Sequence, residues 1–304
     1  MAEKVLMKGN EAIAEAAIRA GCRHYFGYPI TPQTEVAAYM AKRMPKIGGT
    51  FLQAESEIAA INMIYGVSSA GLRAMTSSSS PGVSLKQEGI SYLAGSDLPA
   101  LIVNVQRGGP GLGGIQPSQS DYFQATKGGG HGDYRLIVLA PASVQEMADF
   151  TAKAFDLSDK YRIPAMILAD GTIGQMMEPV VLPEPCEHHI DKPWAVTGTK
   201  GVREHNIINS LYLVPEELEQ KNLERFERYH AVEENEVICE EYLMDDAQYC
   251  IVAFGIAARV AKNAITAARA KGVKVGMIRP ITLWPFPKKQ IAEAAKKVKA
   301  FISV

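Results

Sequence analysis

The chain has 304 residues, 47% of them hydrophobic, which is enough for one large domain or two of ordinary size. Its 32 Lys and Arg residues nearly balance its 33 Asp and Glu residues, so the overall charge favours neither nucleic acid nor an anionic membrane as a partner. The first residues, "MAEKVLMKGNEA", lack the apolar core of a signal peptide, and no run approaches membrane-spanning length. We therefore expect a soluble, cytoplasmic protein.

The cysteines are far apart in the sequence and form no CxxC pair; they are Cys22, Cys186, Cys239 and Cys250. This spacing predicts reduced, mostly buried thiols, with no disulfide framework and no iron–sulfur cluster held by this chain. The "CEHH" at residues 186–189 matches no structural zinc pattern, so no metal site is predicted there.

From Gly9 to about Gly171, short β-rich runs alternate with amphipathic or apolar helical segments. The predicted strands lie at 24–28, 49–54, 73–78, 100–106, 135–140 and 165–170. Strands of continuous apolar residues, each followed by a helix, indicate an α/β fold in which helices cover both faces of a parallel sheet.

Three helix starts carry capping signals. Thr31-Pro32 and Ser80-Pro81 each place a hydroxyl before a proline, which predicts an N-cap followed by proline at the first helical position. Ser143 with Glu146 predicts a capping box.

The pattern changes after residue 178. Residues 179–247 are rich in proline and charge and have little apolar periodicity, which predicts an extended connector with a helix near 215–229. Residues 248–304 predict a second, smaller α/β unit that ends on the strand "AFISV". Because the pattern stops on a strand, we expect this unit to be truncated. The predicted segments are thus 1–178, 179–247 and 248–304.

Candidate chemistry collects at the carboxyl ends of the predicted strands, where open parallel sheets bind their ligands. By that rule Thr31, Glu57, the serines 77–80 and Arg107 should gather at one edge of the sheet. Glu57 opens the helix in "FLQAESEIAAINMIYG", and Arg107 ends a strand before the loop "RGGPGLGG". A carboxylate, hydroxyls and a guanidinium around a glycine-lined cleft suit a small anionic substrate and an acid–base step.

Each candidate also has a structural alternative. Glu57 can simply place favourable charge at a helix N-terminus, worth about 0.3–1 kcal/mol, and Thr31 can be an N-cap worth about 1 kcal/mol. The loop at 107–114 has no GKS or GKT and no helix directly after it, so no nucleotide fingerprint is predicted. The serines are outside any GxSxG, so no hydrolase elbow is predicted. His131, in "KGGGHGDYR", is a further candidate on the ligand side of the sheet.

Several separated motifs, in order, resemble one family. They are "GYPITP", "QAESEIAAINM", "MTSSSSPG", "NVQRGGPG" and "RPITLWPFP". Together they resemble the 2-oxoacid:ferredoxin oxidoreductases, and within them the subunit with the pyrimidine-binding domain for thiamine diphosphate. The segments "MTSSSSPGVSLKQEG" and "GGGHGDYRLIVLAP" look most like the branched-chain enzymes acting on 2-oxoisovalerate. The resemblance implies that the second α/β unit is like a transketolase C-terminal domain.

The resemblance assigns a role to Glu57. In thiamine enzymes a glutamate hydrogen-bonds a ring nitrogen of the cofactor's aminopyrimidine and so helps to generate the cofactor's nucleophilic carbon. The second glutamate of "ESE", Glu57, matches that position, and Glu55 is the alternative. Thr31 and Arg107 match positions that hold the 2-oxoacid, with the arginine on its carboxylate. Further cofactor contacts are implied at Pro29, Ile30 and Ser80.

The implied reaction is CoA-dependent oxidative decarboxylation of 2-oxoisovalerate to an acyl-CoA and CO₂, with electrons passed to ferredoxin. The chain has no GDG with a downstream asparagine, the pattern of a diphosphate–magnesium domain, and no cluster-ligating cysteines. It is therefore expected to be inactive alone and to hold the aminopyrimidine half of the cofactor. Mg²⁺ and the iron–sulfur clusters would belong to partners, namely a diphosphate-binding subunit, a gamma-type subunit and a ferredoxin-like subunit.

Two kinds of alternative stay open at this stage. Within the family, 2-oxoglutarate or pyruvate is the substrate. From a different class, the chain is a non-catalytic α/β scaffold or ligand-binding module, since a fold alone does not fix function.

Overall fold

The computed structural model describes residues 3–186 and 191–304. The strands are β1 (Val5–Lys8), β2 (His24–Gly27), β3 (Thr50–Gln53), β4 (Ala74–Ser78), β5 (Leu101–Gln106), β6 (Ile137–Leu139), β7 (Ala165–Asp170), β8 (Met177–Val180), β9 (Cys239–Tyr242), β10 (Tyr249–Val252), β11 (Val275–Pro280), β12 (Thr282–Trp284) and β13 (Ala300–Ser303). The helices are α1 (Gly9–Arg19), α2 (Thr34–Arg43), α3 (Glu57–Ser69), α4 (Ser80–Gly95), α5 (Tyr122–Thr126), α6 (Val144–Tyr161), α7 (Gly171–Gln175), α8 (Pro215–Asn235), α9 (Gly255–Ala270) and α10 (Lys288–Ala295), with a 3₁₀ turn at Met44–Ile47.

The larger sheet has the strand order β12-β6-β7-β5-β4-β2-β3. Its neighbours pair in parallel except β12, which is antiparallel to β6. Strands β4, β5 and β7 are buried along their whole length, as continuous apolar runs predict. Helix α1 packs on α2 and α6, and α3 packs on α4. The predicted parallel sheet with helices on both faces is confirmed.

The connector carries more structure than predicted. Helix α8 has 21 residues and extends beyond the predicted end at 229. Its surface is highly charged, but Arg225, Tyr229 and Val232 form one buried stripe at helical spacing. Tyr229 packs edge-on against Trp284, with ring centroids 5.7 Å apart. Tyr229 and Val232 of this narrow stripe, which the surrounding charges hide in the sequence, dock α8 on the main core.

The second sheet has the order β13-β10-β11-β9, with β9 antiparallel to β11. Its core lies under α9, where Ala258, Ala261 and Ile265 are buried. Strand β9 was not predicted because its sequence, "CEEY", is half acidic. The antiparallel pair β1–β8 was also not predicted, since both strands are short and largely exposed. The predicted segment boundaries stay a prediction, although β12 leaves the second unit to join the larger sheet.

Two of the predicted helix caps were wrong. Helix α2 starts at Thr34 with Gln33 as N-cap, so Thr31 caps nothing, and the N-cap of α4 is Ser79, which makes no capping bond through its side chain. At α6 the Ser143 hydroxyl accepts from the Glu146 N–H at 3.2 Å, as predicted. The Glu146 carboxylate, however, accepts from the Ala142 N–H at 2.7 Å. The side chains of Thr31 and Ser80 therefore do not serve as helix caps.

Two ion pairs of different burial join the second unit to α6 and β8. Arg279, whose side chain is 4% exposed, donates to Glu146 at 2.9 Å and to Glu240 at 3.2 Å. Arg259, 40% exposed, pairs with Glu178 at 2.6 Å. We expect Arg279→Met to lower the free energy of unfolding by about 2 kcal/mol, because Glu146 and Glu240 each lose a hydrogen bond from the buried guanidinium. Arg259→Met should cost less than about 1 kcal/mol. Chemical denaturation of the two variants tests this difference, and equal losses would contradict it.

Candidate functional site

Four segments meet at the carboxyl edge of the larger sheet. The loop after β2 carries Thr31, α3 opens with Glu57 after β3, the end of β4 carries the serines 77–80, and Arg107 follows β5. The neighbouring strands are in parallel register, which brings their carboxyl ends to one side. The edge predicted from sequence is therefore a real structural feature.

Glu57 is held at this edge by the start of α3 and the first turn of α4. The Ser56 hydroxyl caps α3 by accepting from the Ala59 N–H at 3.1 Å. Glu57 is only 6% exposed. A Cβ added to Gly82 would lie 2.6 Å from Glu57 Oε1 and 2.2 Å from Ser78 Oγ, so the backbone of α4 packs directly on the carboxylate. Within the described part of the chain, no hydrogen-bond donor pairs with this carboxylate. It is a nearly buried acceptor available to an outside donor.

Arg107 joins two loops at the same edge. Its Nη1 donates to the Thr31 carbonyl at 3.1 Å, and its Nη2 donates to the Leu112 carbonyl at 2.9 Å. Its Nε is buried and has no partner among the described residues. The guanidinium therefore fixes the loop after β2 and the glycine-rich loop while keeping one N–H and its positive charge unmatched.

A polar network supports Arg107 from below. Ser80 Oγ accepts from the Arg107 N–H at 3.0 Å and donates to Asp121 Oδ2 at 2.5 Å. Asn104 links the same residues, since its Oδ1 accepts from the Ser80 N–H and its Nδ2 donates to Asp121 Oδ2, both at 3.0 Å. Ser80 has a φ of 21°, a strained conformation for a residue with a Cβ. These hydrogen bonds hold Ser80 in its strained conformation, and they make the surroundings of Arg107 rigid.

A second buried network lies beside it under the loop after β2. The Tyr25 hydroxyl and Ser77 Oγ are 2.6 Å apart, and Ser77 Oγ donates to Gln33 Oε1 at 2.5 Å. Burial raises the pKa of Tyr25 well above its ordinary value, so its phenol stays protonated. By contrast, the hydroxyls of Ser78 and Ser79 are buried without a partner in the described structure.

Comparison with known protein families shows which family the chain belongs to. Residues 15–241 match the family described as pyruvate flavodoxin/ferredoxin oxidoreductase, thiamine diphosphate-binding. Residues 247–304 match the family's pyruvate:ferredoxin oxidoreductase core domain II. The chain belongs to the pyruvate flavodoxin/ferredoxin oxidoreductase family. The resemblance seen in the sequence motifs is confirmed, as is the α/β architecture with a smaller, transketolase-like second domain.

Individual members of this oxidoreductase family are similar over nearly the whole chain. The ketoisovalerate oxidoreductase subunit VorB of Methanothermobacter marburgensis is 56% identical over 98% of this chain and 85% of its own length. The 2-oxoglutarate synthase subunit KorA of Methanocaldococcus jannaschii is 40% identical over 97% of this chain and 85% of its own. A solved 2-oxoglutarate:ferredoxin oxidoreductase from Magnetococcus marinus, with 2-oxoglutarate, coenzyme A and succinyl-CoA bound, has 30% identity and a TM-score of 0.89. That match covers 99% of this chain and 58% of the other.

The structure brings some of the predicted site residues together and leaves others apart. Thr31, Glu57, Ser80 and Arg107 form the cluster described above, and Pro29 and Ile30 lie in the same loop as Thr31. Glu55 is exposed and precedes the N-cap of α3, so it is outside the cluster.

His131 is exposed. Its loop packs on the middle of α4, where a Cβ on Gly130 would lie 2.7 Å from the Gln87 carbonyl oxygen. The first turn of α4, which contacts Glu57, is more than one helical turn away. The roles assigned to these residues by resemblance stay predictions.

The family's cofactor fits the residues of this edge. An aminopyrimidine ring presents a nitrogen that needs an acceptor once it is protonated, and the unpaired Glu57 carboxylate supplies one. Tyr28 just after β2, Leu52 on β3 and Ile58 in the first turn of α3 are exposed apolar side chains on the segments that lead to this edge, and such side chains suit the faces of a flat ring. Among the described residues, Glu57 therefore offers an acceptor that fits the aminopyrimidine half of thiamine diphosphate, and its role stays a prediction.

Lys86 is a buried charged residue that the sequence analysis missed. It is fully buried, and its Nζ donates to Thr76 Oγ1 at 2.7 Å. Burial lowers the pKa of Lys86 to about 7, opposed in part by the charge of Glu57. The sequence did hold a signal, because Val83, Lys86 and Ile90 share one helical face that is otherwise apolar. Asp121 and Asn104, also missed, carry no such signal.

Two classes of feature are absent from the described ranges. Residues 3–186 and 191–304 contain no group of three or more His, Cys, Asp or Glu side chains placed to hold a metal ion. Their helices include none that is both long and apolar enough to cross a membrane. His188 and His189 of the "CEHH" segment lie outside the described residues. All four cysteines are free thiols, with Cys22 and Cys250 buried.

Proposed function

We propose that this chain supplies the aminopyrimidine-binding face of a thiamine-diphosphate-dependent branched-chain 2-oxoacid:ferredoxin oxidoreductase. The assembled enzyme converts 2-oxoisovalerate and CoA to an acyl-CoA and CO₂ and passes two electrons to ferredoxin. The observation that carries the proposal is the nearly buried, unpaired Glu57 carboxylate at the ligand edge of a sheet in this family. The isolated chain is inactive.

Glu57 acts on the proton of the cofactor's aminopyrimidine. When bound, thiamine diphosphate supplies the nucleophilic carbon that attacks the keto group of the substrate. The Glu57 carboxylate accepts a hydrogen bond from the ring nitrogen and holds or returns its proton. The packing of Gly82 against this carboxylate excludes water, and a hydrogen bond in such a low-dielectric site is stronger than in solvent.

Arg107 binds the carboxylate of the 2-oxoacid, together with Thr31. The free Nε and the positive charge of Arg107 remain available after its two bonds to backbone carbonyls. Its position is fixed by Ser80 and Asp121, so little entropy is lost when the substrate binds. Ser80 therefore acts mainly through Arg107, while Pro29 and Ile30 line the cofactor's approach.

Two observations favour a branched-chain substrate over 2-oxoglutarate. The identity is 56% to a ketoisovalerate oxidoreductase subunit but 40% to a 2-oxoglutarate synthase subunit. The loop fixed by Arg107, residues 108–117, contains the exposed aliphatic residues Leu112 and Ile115 and no basic residue. An alkyl side chain suits such a loop, whereas the distal carboxylate of 2-oxoglutarate requires a second cation.

The partners follow from what surrounds Glu57. Large apolar side chains are exposed on the strands, loops and helices that build this edge, which is typical of a protein interface; they are Tyr28, Leu52, Ile58, Leu85, Leu112, Ile115 and Phe123. A diphosphate-binding subunit that carries Mg²⁺ covers them and completes the cofactor site. A gamma-type subunit and a ferredoxin-like subunit supply the iron–sulfur clusters, and the complex operates in the cytoplasm with ferredoxin as acceptor.

The test is anaerobic viologen reduction by the complex co-purified with this chain. Thiamine diphosphate, Mg²⁺ and CoA are supplied, and 2-oxoisovalerate, 2-oxoglutarate and pyruvate are compared. We expect reduction to be fastest with 2-oxoisovalerate and absent for the isolated chain. Faster reduction with 2-oxoglutarate or pyruvate contradicts the substrate assignment. No reduction with any oxoacid, from a complex containing its clusters, makes the chain a non-catalytic module.

Gly82→Ala is expected to weaken thiamine diphosphate binding by at least about 10-fold, since the new methyl group overlaps the Glu57 carboxylate and the Ser78 hydroxyl. Gly66→Ala is the matched control, because Gly66 lies inside α3 and its added Cβ meets nothing within 4 Å. That substitution should leave binding unchanged and stabilise the helix by about 0.5–1 kcal/mol. Calorimetric titration of both complexes with the cofactor measures the difference; equal affinities would show that Glu57 is not at the cofactor site.

A further inference from the structure

A buried lysine lies directly beneath Glu57. On β4, Thr76 and Ser78 point to the same side because they are two residues apart. On α4, Gly82 and Lys86 share one face because they are four residues apart. Ser78, Gly82 and Glu57 touch at the edge of the sheet, and the Lys86–Thr76 hydrogen bond forms the next layer inward. The two layers are about 6 Å apart along both the strand and the helix.

Lys86 has an unusual environment for a lysine. Its side chain is completely removed from solvent, and its hydrogen-bond partner, Thr76 Oγ1, is uncharged. No carboxylate of the described residues lies within ion-pair distance of it. The charged group that acts on it is Glu57. Fully buried lysines are rare because a desolvated ammonium is costly, so this one calls for a function.

We propose that Lys86 is a positioning residue that acts through Glu57: the charge on its Nζ, one layer beneath the carboxylate, sets how firmly Glu57 holds the proton it exchanges with the cofactor. This inference rests on the proposed function. A protonated Lys86 favours the carboxylate form of Glu57. A neutral Lys86 lets the proton pass more readily to Glu57.

The other groups around Lys86 leave Glu57 as its electrostatic partner. From α3 the facing group is Glu57, and from β4 it is the uncharged Thr76. On α4 itself, Glu88 is exposed and hydrogen-bonded to Tyr92 on the other side of the helix. From the loop before β6, the Tyr134 hydroxyl donates to Gln87 Oε1 at 3.0 Å. Burial raises the pKa of Tyr134, so it stays neutral.

The ionisation of Lys86 gives a test that needs no catalysis. In the folded protein its pKa is about 7, below the ordinary 10.5, so between these values the unfolded chain binds more protons. Stability of the cofactor-free complex should therefore rise as pH increases from about 7. Lys86→Met, apolar and of similar length, should lose this rise. Glu57→Gln should extend it to lower pH, because the anion that supports the charged lysine is gone. Thermal unfolding at several pH values measures both.

The second arm measures thiamine diphosphate binding against pH by calorimetry on the intact complex. Without the cation, Glu57 keeps its proton more tightly, so Lys86→Met should move the acid limb of the binding profile upward by about one pH unit. Lys86→Arg restores the cation and should move the limb back. Lys160→Met, which removes an exposed lysine paired with Glu236, is the control and should match the wild type.

The outcomes separate this inference from the proposed function. Loss of turnover in Glu57→Gln, together with an unchanged limb in Lys86→Met, overturns the role of Lys86 alone. Near-normal turnover in Glu57→Gln overturns the proposed function and the role of Lys86 with it. If Lys86→Met fails to assemble, Thr76→Val takes its place. That variant removes the bond that fixes Nζ, and it should shift the limb, whereas a wild-type limb overturns the inference.

Discussion

Replacing Glu57 with Gln is expected to reduce turnover of the assembled complex by at least about 100-fold, the usual contribution of a placed acid–base group. Glutamine keeps the shape and can still form a hydrogen bond, but it cannot take up a proton. Because Glu57 is 6% exposed and packed on Gly82, its isosteric replacement should leave the fold and the assembly intact. Anaerobic viologen reduction at saturating cofactor measures the loss, and gel filtration measures the assembly.

Glu55→Gln is the matched control for this experiment. Glu55 lies two residues earlier, is exposed, and precedes the capped start of α3. The same chemical change should therefore leave turnover close to that of the wild type. Near-normal turnover in Glu57→Gln, or an equal loss in Glu55→Gln, would remove Glu57 from the mechanism.

Arg107→Ala is expected to raise KM for the oxoacid by about 100-fold, since hydrogen bonds to a charged group contribute about 1.5–3 kcal/mol. The change in kcat should be smaller, because a carboxylate held in both ground and transition states contributes mainly to binding. Part of the effect comes through the loops, as Arg107 also holds the carbonyls of Thr31 and Leu112. Initial rates over a range of 2-oxoisovalerate concentrations separate KM from kcat.

Arg23→Ala serves as the control for Arg107. Arg23 lies just before β2, at the opposite edge of the same sheet, and also donates to two backbone carbonyls, those of Ile18 at 2.7 Å and Cys22 at 3.1 Å. Its loss should cost some stability and leave KM unchanged. If Arg107→Ala impairs only assembly, the arginine belongs to an interface rather than to the substrate site.

The fold of the larger sheet could be predicted because its strands have a simple physical signature. Strands such as β5 and β7 are buried on both faces and appear as uninterrupted apolar runs between helices. The elements that were missed are those whose burial is partial. The charged α8 buries only a narrow stripe, and the acidic β9 is held by its pairing with β11. The composition of both segments hides this. Only tertiary packing shows it.

The position of the candidate site could also be predicted, because the carboxyl ends of parallel strands must lie together. That rule placed Thr31, Glu57 and Arg107 correctly at one edge. The rule does not show, however, which side chains are buried beneath that edge. The hydrogen-bonding of Asp121 depends on how a long loop folds back over β5, and the pattern around Lys86 looks like an ordinary helix until its burial is known.

The strand exchange made by β12 limits how this protein can be recombined. Although it comes late in the sequence, β12 pairs with β6 as the last strand of the larger sheet, and Leu283 and Trp284 fill the core beside Tyr229. A chimera joined near residue 247 would match a foreign β12 to the native β6 and a foreign indole to the native α8. An open edge of β6 would invite pairing between chains. A workable graft between relatives must therefore keep residues 282–284 from the same parent as the larger sheet. Only the parts of the second unit before and after these residues can be exchanged.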